Sequence, residues 1–357
     1  MIEGADASLK LGLLAQPAYE YLDRTVYADD AYQSFFLRRA RFLALLTLGS
    51  QFEVFAETET SNIGRAAVAG GGVGPSVALT MQDIFATWRP APGFKIDAGL
   101  LLVPFSHNSL QGASTLLGLD YFAFSFQQGA AMQNYNGRDT GVEARGLIAE
   151  HLEYRVGAFT GRRATPAAPP TAGLPALPRP SQTVLRFAAR LQVNLFDAES
   201  AFFYGGTYAG NKRILSFGAG YDMQASYKAY AFDLFFDWPV AGLGDAPDVI
   251  TVQANLLHHN GNTWTFVPRQ TDFMAEIGYR IGALGISPIF RYELASLDRP
   301  FVANPDQKRL SGGLAWWYLG HNANLKVFYT WIRPHTGVPG ATHSAHQLSA
   351  QMQLFVF

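Results

Sequence analysis

Along most of this chain apolar and polar residues alternate one by one, in runs separated by clusters of Gly, Pro, Asn and Asp. Phe273, Ala275, Ile277, Tyr279 and Ile281 interleave with Asp272, Glu276, Gly278 and Arg280. Successive side chains of a strand point to opposite faces, so the first set makes an apolar face and the second a polar, charged one. In a soluble sheet the apolar face would turn inward. Here the pattern continues to the final residue, Phe357. A continuous alternation ending on a terminal aromatic strand predicts an all-β fold, a transmembrane antiparallel β-barrel with lipid outside and water inside.

Strands are predicted over Leu9–Tyr21, Phe35–Leu48, Gln51–Thr60, Leu79–Trp88, Phe94–Leu101, Thr140–Leu147, Leu152–Thr160 and Val184–Leu195. The second half supplies Ile214–Met223, Tyr227–Trp238, Val249–His258, Thr271–Ile281, Ile286–Ala295, Arg309–Tyr318, Asn322–Ile332 and Gln347–Phe357. The count of sixteen is even, as bacterial single-chain barrels require; fourteen and eighteen are the neighbouring alternatives. The whole chain, 1–357, is read as one barrel domain. Short connections at 90–93, 149–151 and 282–284 alternate with longer ones expected to face outward. Phe196–Arg213 breaks this rule, a long connection on the short-turn side; promoting Ala201–Tyr208 to a strand would mend the alternation but give an odd total.

Two connections differ from ordinary loops. Residues 163–182 hold six prolines and cannot join a ladder. Residues 102–137, the third outward loop, are aromatic and almost uncharged, with Phe105, Leu116, Leu117, Tyr121, Phe122, Phe124 and Phe126. Apolar surface costs about 25 cal/mol per Å² in water. The loop is therefore expected to fold inward and narrow the pore, or else to pack across a subunit boundary. Phe105, Ser106, Asn108, Ser109, Gln111 and Ser114 are its candidate constriction residues, the polar ones facing the channel.

Composition narrows the class. Charged residues make up 15% of the chain against about a quarter in soluble domains. No apolar run approaches the ~18 residues of a transmembrane helix. A net charge of -1 argues against nucleic acid, which needs a concentrated basic patch. There is no cysteine, which removes disulfides and thiolate chemistry. Met1–Gly4 lacks the basic and apolar regions of a signal peptide. Outer-membrane export needs one, so a leader is expected to have been removed.

The alternation places Lys10, Arg39, Arg41, Lys95, Arg145, Arg155, Arg186, Arg190, Arg280, Arg291, Arg309 and Lys326 on the non-lipid face, together with a comparable set of acids. A cation at mid-depth in hydrocarbon costs about 2–4 kcal/mol, so each is expected to line the pore. Cross-strand pairing along the wall is the ordinary role for such charges; ion guiding requires unpaired charge at a constriction. Arg39 with Arg41, and Arg186 with Arg190, are the best local candidates. Gly70–Gly74 lacks the Lys-Ser/Thr of a phosphate loop. His258 and His259 point to opposite faces. No Gly-x-Ser-x-Gly elbow is present. No metal, cofactor or catalytic role is expected. In the last strand Leu348, Ala350, Met352, Leu354 and Val356 form the apolar face, which leaves Phe355 and Phe357 on the other, at the rim.

Several runs resemble the phosphate-selective porin O and P family. They are Phe36-Leu37-Arg38-Arg39-Ala40-Arg41, Gln82-Asp83, Gly99–Ser106, Gly206-Thr207-Tyr208 before Lys212-Arg213-Ile214-Leu215, and Gly320–Lys326. The resemblance covers essentially the whole chain. It implies a sixteen-stranded trimeric porin of the bacterial outer membrane, whose third loop enters the lumen and whose basic residues guide anions. The balanced lumen charges and the lack of a lysine-rich ladder depart from the phosphate-specific members. The function expected is passive diffusion of small hydrophilic solutes with a modest anion preference, in contact with outer-membrane lipid and lipopolysaccharide. The other reading is a structural or assembly barrel plugged by its loops or by a partner protein.

Overall fold

The computed structural model describes residues 2–3, 6–24, 31–65, 78–126, 137–161, 184–244, 246–261, 269–298, 307–334 and 343–357. A short β1 (Ile2–Glu3) pairs with the start of β2 (Ala7–Leu22). The strands that follow are β3 (Tyr32–Leu48), β4 (Phe52–Ile63), β5 (Thr80–Ala91), β6 (Phe94–Leu102), β7 (Arg138–Ile148), β8 (Leu152–Phe159) and β9 (Arg186–Asn194). Then come β10 (Ile214–Gln224), β11 (Tyr227–Val240), β12 (Asp248–Asn260), β13 (Gln270–Arg280) and β14 (Ile286–Leu297). The last are β15 (Gln307–Trp316), β16 (Ala323–Pro334) and β17 (Ala345–Val356). Each strand from β2 pairs antiparallel with the next, and β17 pairs with β2. The result is a closed sixteen-stranded barrel, and every segment predicted from alternation is one of its strands. Closure removes the sheet edges that hydrocarbon would leave without hydrogen-bond partners.

The two faces follow the period of two. Phe35 is 81% exposed, and Leu11 and Phe42 are each 62% exposed. Such residues recur around the outside, which makes it a lipid-facing surface of the outer-membrane type. Inward positions are buried and mostly polar. In β10 they are Ile214, Ser216, Gly218, Gly220, Asp222 and Gln224.

Among the described residues the partner register shifts at three places, one of them beside the β5–β6 turn between Trp88 and Ala91. Between Gln16 and Pro17 the partner register moves from Arg39 to Leu37, so Arg38 is an extra residue on β3. Between Glu57 and Thr58 it moves from Asp83 to Met81, so Gln82 is an extra residue on β5. Pro17 has no N–H to give the ladder, which favours an irregularity there. A bulge turns the extra side chain to a new face. Arg38 and Arg39 both point inward as a result, as do Gln82 and Asp83.

The lumen holds two further segments. Residues 103–126 enter from the mouth opposite the termini and pack on the inner wall. Phe105, Phe122 and Phe124 are buried there against Tyr227, Ala229, Ala231, Leu257, Met274, Ala295 and Leu297. Full burial of such side chains stabilises by about 1.5–3 kcal/mol each. The wall makes room with small residues; at Gly220 a Cβ would lie 2.0 Å from the Phe105 carbonyl oxygen. From the termini mouth, the β9–β10 connection also turns in. Ala201–Tyr208, the ambiguous segment of the sequence, is not a barrel strand: Tyr204 makes an isolated parallel bridge with Gln111. Phe357 turns inward at the same mouth, its ring 6.1 Å from Phe55. The proline-rich stretch 163–182 and Gly70–Gly74 lie outside the described residues.

Candidate functional site

Two cavities lie inside the barrel among the described residues. The upper, toward the mouth opposite the termini, has a volume of about 490 Å³, and the lower about 320 Å³. Three residues line both: Arg41 of β3, Tyr121 of the inserted loop and Arg138 of β7. They mark the neck between the spaces.

The neck is built on ion pairs. Arg41 bridges Glu57 and Glu59 of β4. Arg138 grips Asp83 through Nε at 3.2 Å and Nη2 at 3.0 Å. Tyr121 donates from its hydroxyl to the Gln111 carbonyl at 2.8 Å. Burial pushes its phenol up, so it stays protonated.

Above the neck, Arg38 and Arg39 converge on Asp120 of the loop. Arg38 donates from Nε at 2.7 Å to Oδ2, and Arg39 takes Oδ1. Desolvation in the barrel pushes the Asp120 carboxyl up, but the two guanidinium groups outweigh it and hold it well below the usual carboxylate range. Arg39 is oriented by Gln16 at 2.8 Å, itself bonded to Gln353. Across the space Arg291 donates to Glu276 at 2.7 Å and to the Asp120 carbonyl at 2.8 Å. Arg309 hydrogen-bonds Gln307 and lies 5.7 Å from the Phe124 ring, with no carboxylate partner among the described residues. The upper space is lined by seven arginines (Arg38, Arg39, Arg41, Arg65, Arg138, Arg291, Arg309) and four carboxylates (Glu20, Glu59, Asp120, Glu293). Glu57, Asp83 and Glu276 pair with these arginines from positions outside that lining.

The other predicted wall cations lie elsewhere. Arg186 and Arg190 are fully buried on Asp222 and Asp233, at 2.6 Å each. Neither lines either cavity. The same holds for Arg155, paired with Glu153 at 2.7 Å and donating to the Ala201 and Phe202 carbonyls. Lys326 donates to the Leu116 and Gly118 carbonyls, the latter at 2.8 Å. Arg145 pairs with Asp97, and Arg280 donates to the Ala209 carbonyl at 3.1 Å. For Arg190, Arg155, Lys326, Arg145 and Arg280 the inserted segments supply carbonyl partners, as a desolvated cation requires. Lys10 sits 4.8 Å over the Phe357 ring near the termini mouth. Lys95 lies opposite Arg145 in the ladder, half-buried.

The loop's own polar residues behave similarly. Ser106, Asn108, Ser109 and Gln111 are buried and line neither cavity. Ser106 bonds Ser109 at 3.1 Å and Asn108 bonds Gln111 at 3.0 Å. Asn108 also accepts from the Phe122 N–H at 2.8 Å. A non-regular segment inside a barrel must satisfy its own backbone, and these side chains do it. Phe105 is buried, and Ser114 lines the lower space. Sequence reading missed Arg38, Asp120 and Arg138 as lining charges. Strict alternation sends Arg38 into lipid at a cost of about 2–4 kcal/mol, and that conflict beside Pro17 was the available signal.

The inserted segments are fastened to each other deep in the barrel. Glu199 accepts from His107 Nε2 at 2.9 Å and from the Tyr208 hydroxyl at 2.7 Å. Burial alone would raise the Glu199 carboxyl; these donors bring it below its ordinary value. Near the termini mouth His321 Nε2 meets the Thr207 carbonyl at 3.1 Å.

No protein-family model matches the chain, and no curated protein matches it by sequence. Solved structures do share its fold. The anion-selective porin of Comamonas acidovorans superposes with a TM-score of 0.62 at 11% identity, over 98% of this chain and 100% of that one. OprB of Pseudomonas putida gives 0.63 at 9% identity, over 98% and 94%. The trimer form of OmpT, an outer membrane protein of Vibrio cholerae, gives 0.53 at 10% identity, over 98% and 100%. At these identities the likeness is one of architecture: the chain has the fold of an outer-membrane porin.

Proposed function

We propose that the protein is an outer-membrane porin, a passive diffusion channel for small hydrophilic solutes with a modest preference for anions. The observation that carries this reading is the pair of cavities inside the barrel whose linings share Arg41, Tyr121 and Arg138. A path with a charged neck selects by size and electrostatics, without covalent chemistry or a cofactor. The anion preference is supported by the lining of the upper space, where arginines outnumber carboxylates. It also agrees with the family resemblance, which would place phosphate-like ions among the solutes, and with the anion-selective neighbour. On this reading residues 103–126 form the constriction, the termini mouth faces the periplasm, and the outer face contacts lipid and lipopolysaccharide. A homotrimer fits the apolar outer faces of β2 and β3 and the trimer form of one neighbour.

Reconstitution in a planar bilayer tests the proposal. Discrete conductance steps are expected, with a reversal potential in a KCl gradient displaced toward the anion. A second reading, a plugged assembly barrel, is favoured by one feature: the Ala201–Tyr208 segment fills part of the lumen near the termini mouth. A folded, inserted barrel without conductance would overturn the porin reading and favour the plug.

A further inference from the structure

We propose that Arg38 and Arg39 form a binding site for the carboxylate group of a small solute, and that Asp120 occupies it as a tethered competitor which the solute displaces. The inference deepens the porin reading and rests on it.

The site is built rather than incidental. The bulge at Arg38 brings two consecutive arginines to one face, and both are spent on a single carboxylate. Each oxygen of Asp120 takes its own guanidinium, Oδ2 on Arg38 and Oδ1 on Arg39. That is the match of a planar two-oxygen group to forked donors. The Asp120 side chain is 36% exposed and the Arg38 side chain 25% exposed, both on the upper space, so a solute reaches the pair from water.

The carboxylate is not what holds the loop. Arg291 grips the backbone carbonyls of Asp120 and Tyr121, Lys326 those of Leu116 and Gly118, and Glu293 accepts from the Ala123 N–H. The loop therefore keeps its path when the side chain lets go. Two cations over one anion leave the pair with surplus positive charge, which draws an anionic solute toward it. A displaced competitor lowers the apparent affinity for the solute by the fraction of time the site is free. The arrangement makes a site that captures a carboxylate weakly enough to release it, as conduction requires.

Asp120→Asn tests this, with acetate as the probe. A competitor that fills the site nine-tenths of the time weakens binding about tenfold. The variant is therefore expected to show half-inhibition of chloride current by acetate at about one tenth of the wild-type concentration, and a reversal potential displaced further toward the anion. Asp120→Ser serves the same purpose where the first variant does not insert. Unchanged acetate inhibition and reversal potential in a conducting variant overturn the proposal while leaving the porin reading intact. Tightening with phosphate but not acetate overturns the carboxylate assignment. A silent wild type beside a conducting variant supports the competitor. If both are silent though folded, the porin reading fails, and acetate binding followed by NMR decides the site: about tenfold tighter binding in the variant supports it, equal binding overturns it.

Discussion

Tyr204 and Gln111, ninety-three positions apart by their numbering, form a parallel β-bridge inside the barrel. One belongs to the segment that enters from the termini mouth, the other to the loop from the opposite mouth. Gly112 N–H donates to the Tyr204 carbonyl and Tyr204 N–H to the Leu110 carbonyl, each at 2.9 Å. The Tyr204 ring lies between Arg155 and Arg190, at 4.6 and 5.6 Å, and stacks on His107. Its hydroxyl reaches Glu153 at 2.8 Å. Two loops thus form one internal structure, anchored to the wall by buried charge.

This seam makes the first prediction. Tyr204→Phe keeps the ring and its cation–π contacts but deprives buried Glu153 of a donor. A loss of about 1–3 kcal/mol is expected. Tyr204→Ala also opens a cavity and should cost about 3–5 kcal/mol. Urea unfolding of the barrel folded into lipid vesicles measures both; equal losses for the two variants would show that the ring contributes nothing.

The neck makes the second. Tyr121→Ala removes the one neck residue that comes from the loop while leaving the Arg291 and Lys326 anchors in place. Single-channel conductance is expected to rise, with a stability loss of about 1–3 kcal/mol from the unpaired Gln111 carbonyl. Unchanged conductance in a folded variant would place the narrowest point elsewhere.

The third concerns acid. His321, in the turn before β16, has its imidazole lowered to about 4 by burial and by the nearby Lys326 ammonium. An unfolded histidine titrates near 6.5. Between these values the unfolded chain binds more protons, so stability is full above about pH 6.5 and falls as pH drops toward 4. The expected loss is up to about 3 kcal/mol. Protonation also affects the contact between His321 and the Thr207 carbonyl, and thus the inserted segment. Unfolding midpoints between pH 4 and 8 check this, and His321→Gln should flatten the dependence; an unaltered slope would assign it to other groups.

Strand positions, their number, and the outward face of each were legible in the sequence because they follow from a local rule. A strand alternates faces at every residue, and lipid rejects charge on one face wherever that strand sits. Phe273 to Ile281 could be read without knowing their neighbours. The apolar loop after β6 was legible for the same reason: Phe105 and Phe122 are costly in water in any context. Which cations face water could not be read this way. Arg186 and Arg39 carry the same local signature, yet one is sealed on Asp222 of the wall and the other borders a cavity where the inserted loop's Asp120 meets it, a difference set by partners distant in the chain. Arg38 turns inward only because a bulge inserts one residue between two strands, a property of the pairing and not of either strand. Asp120 meets it across more than eighty residues of chain. Alternation determined the barrel; the packing of its inner segments decided where water and charge meet.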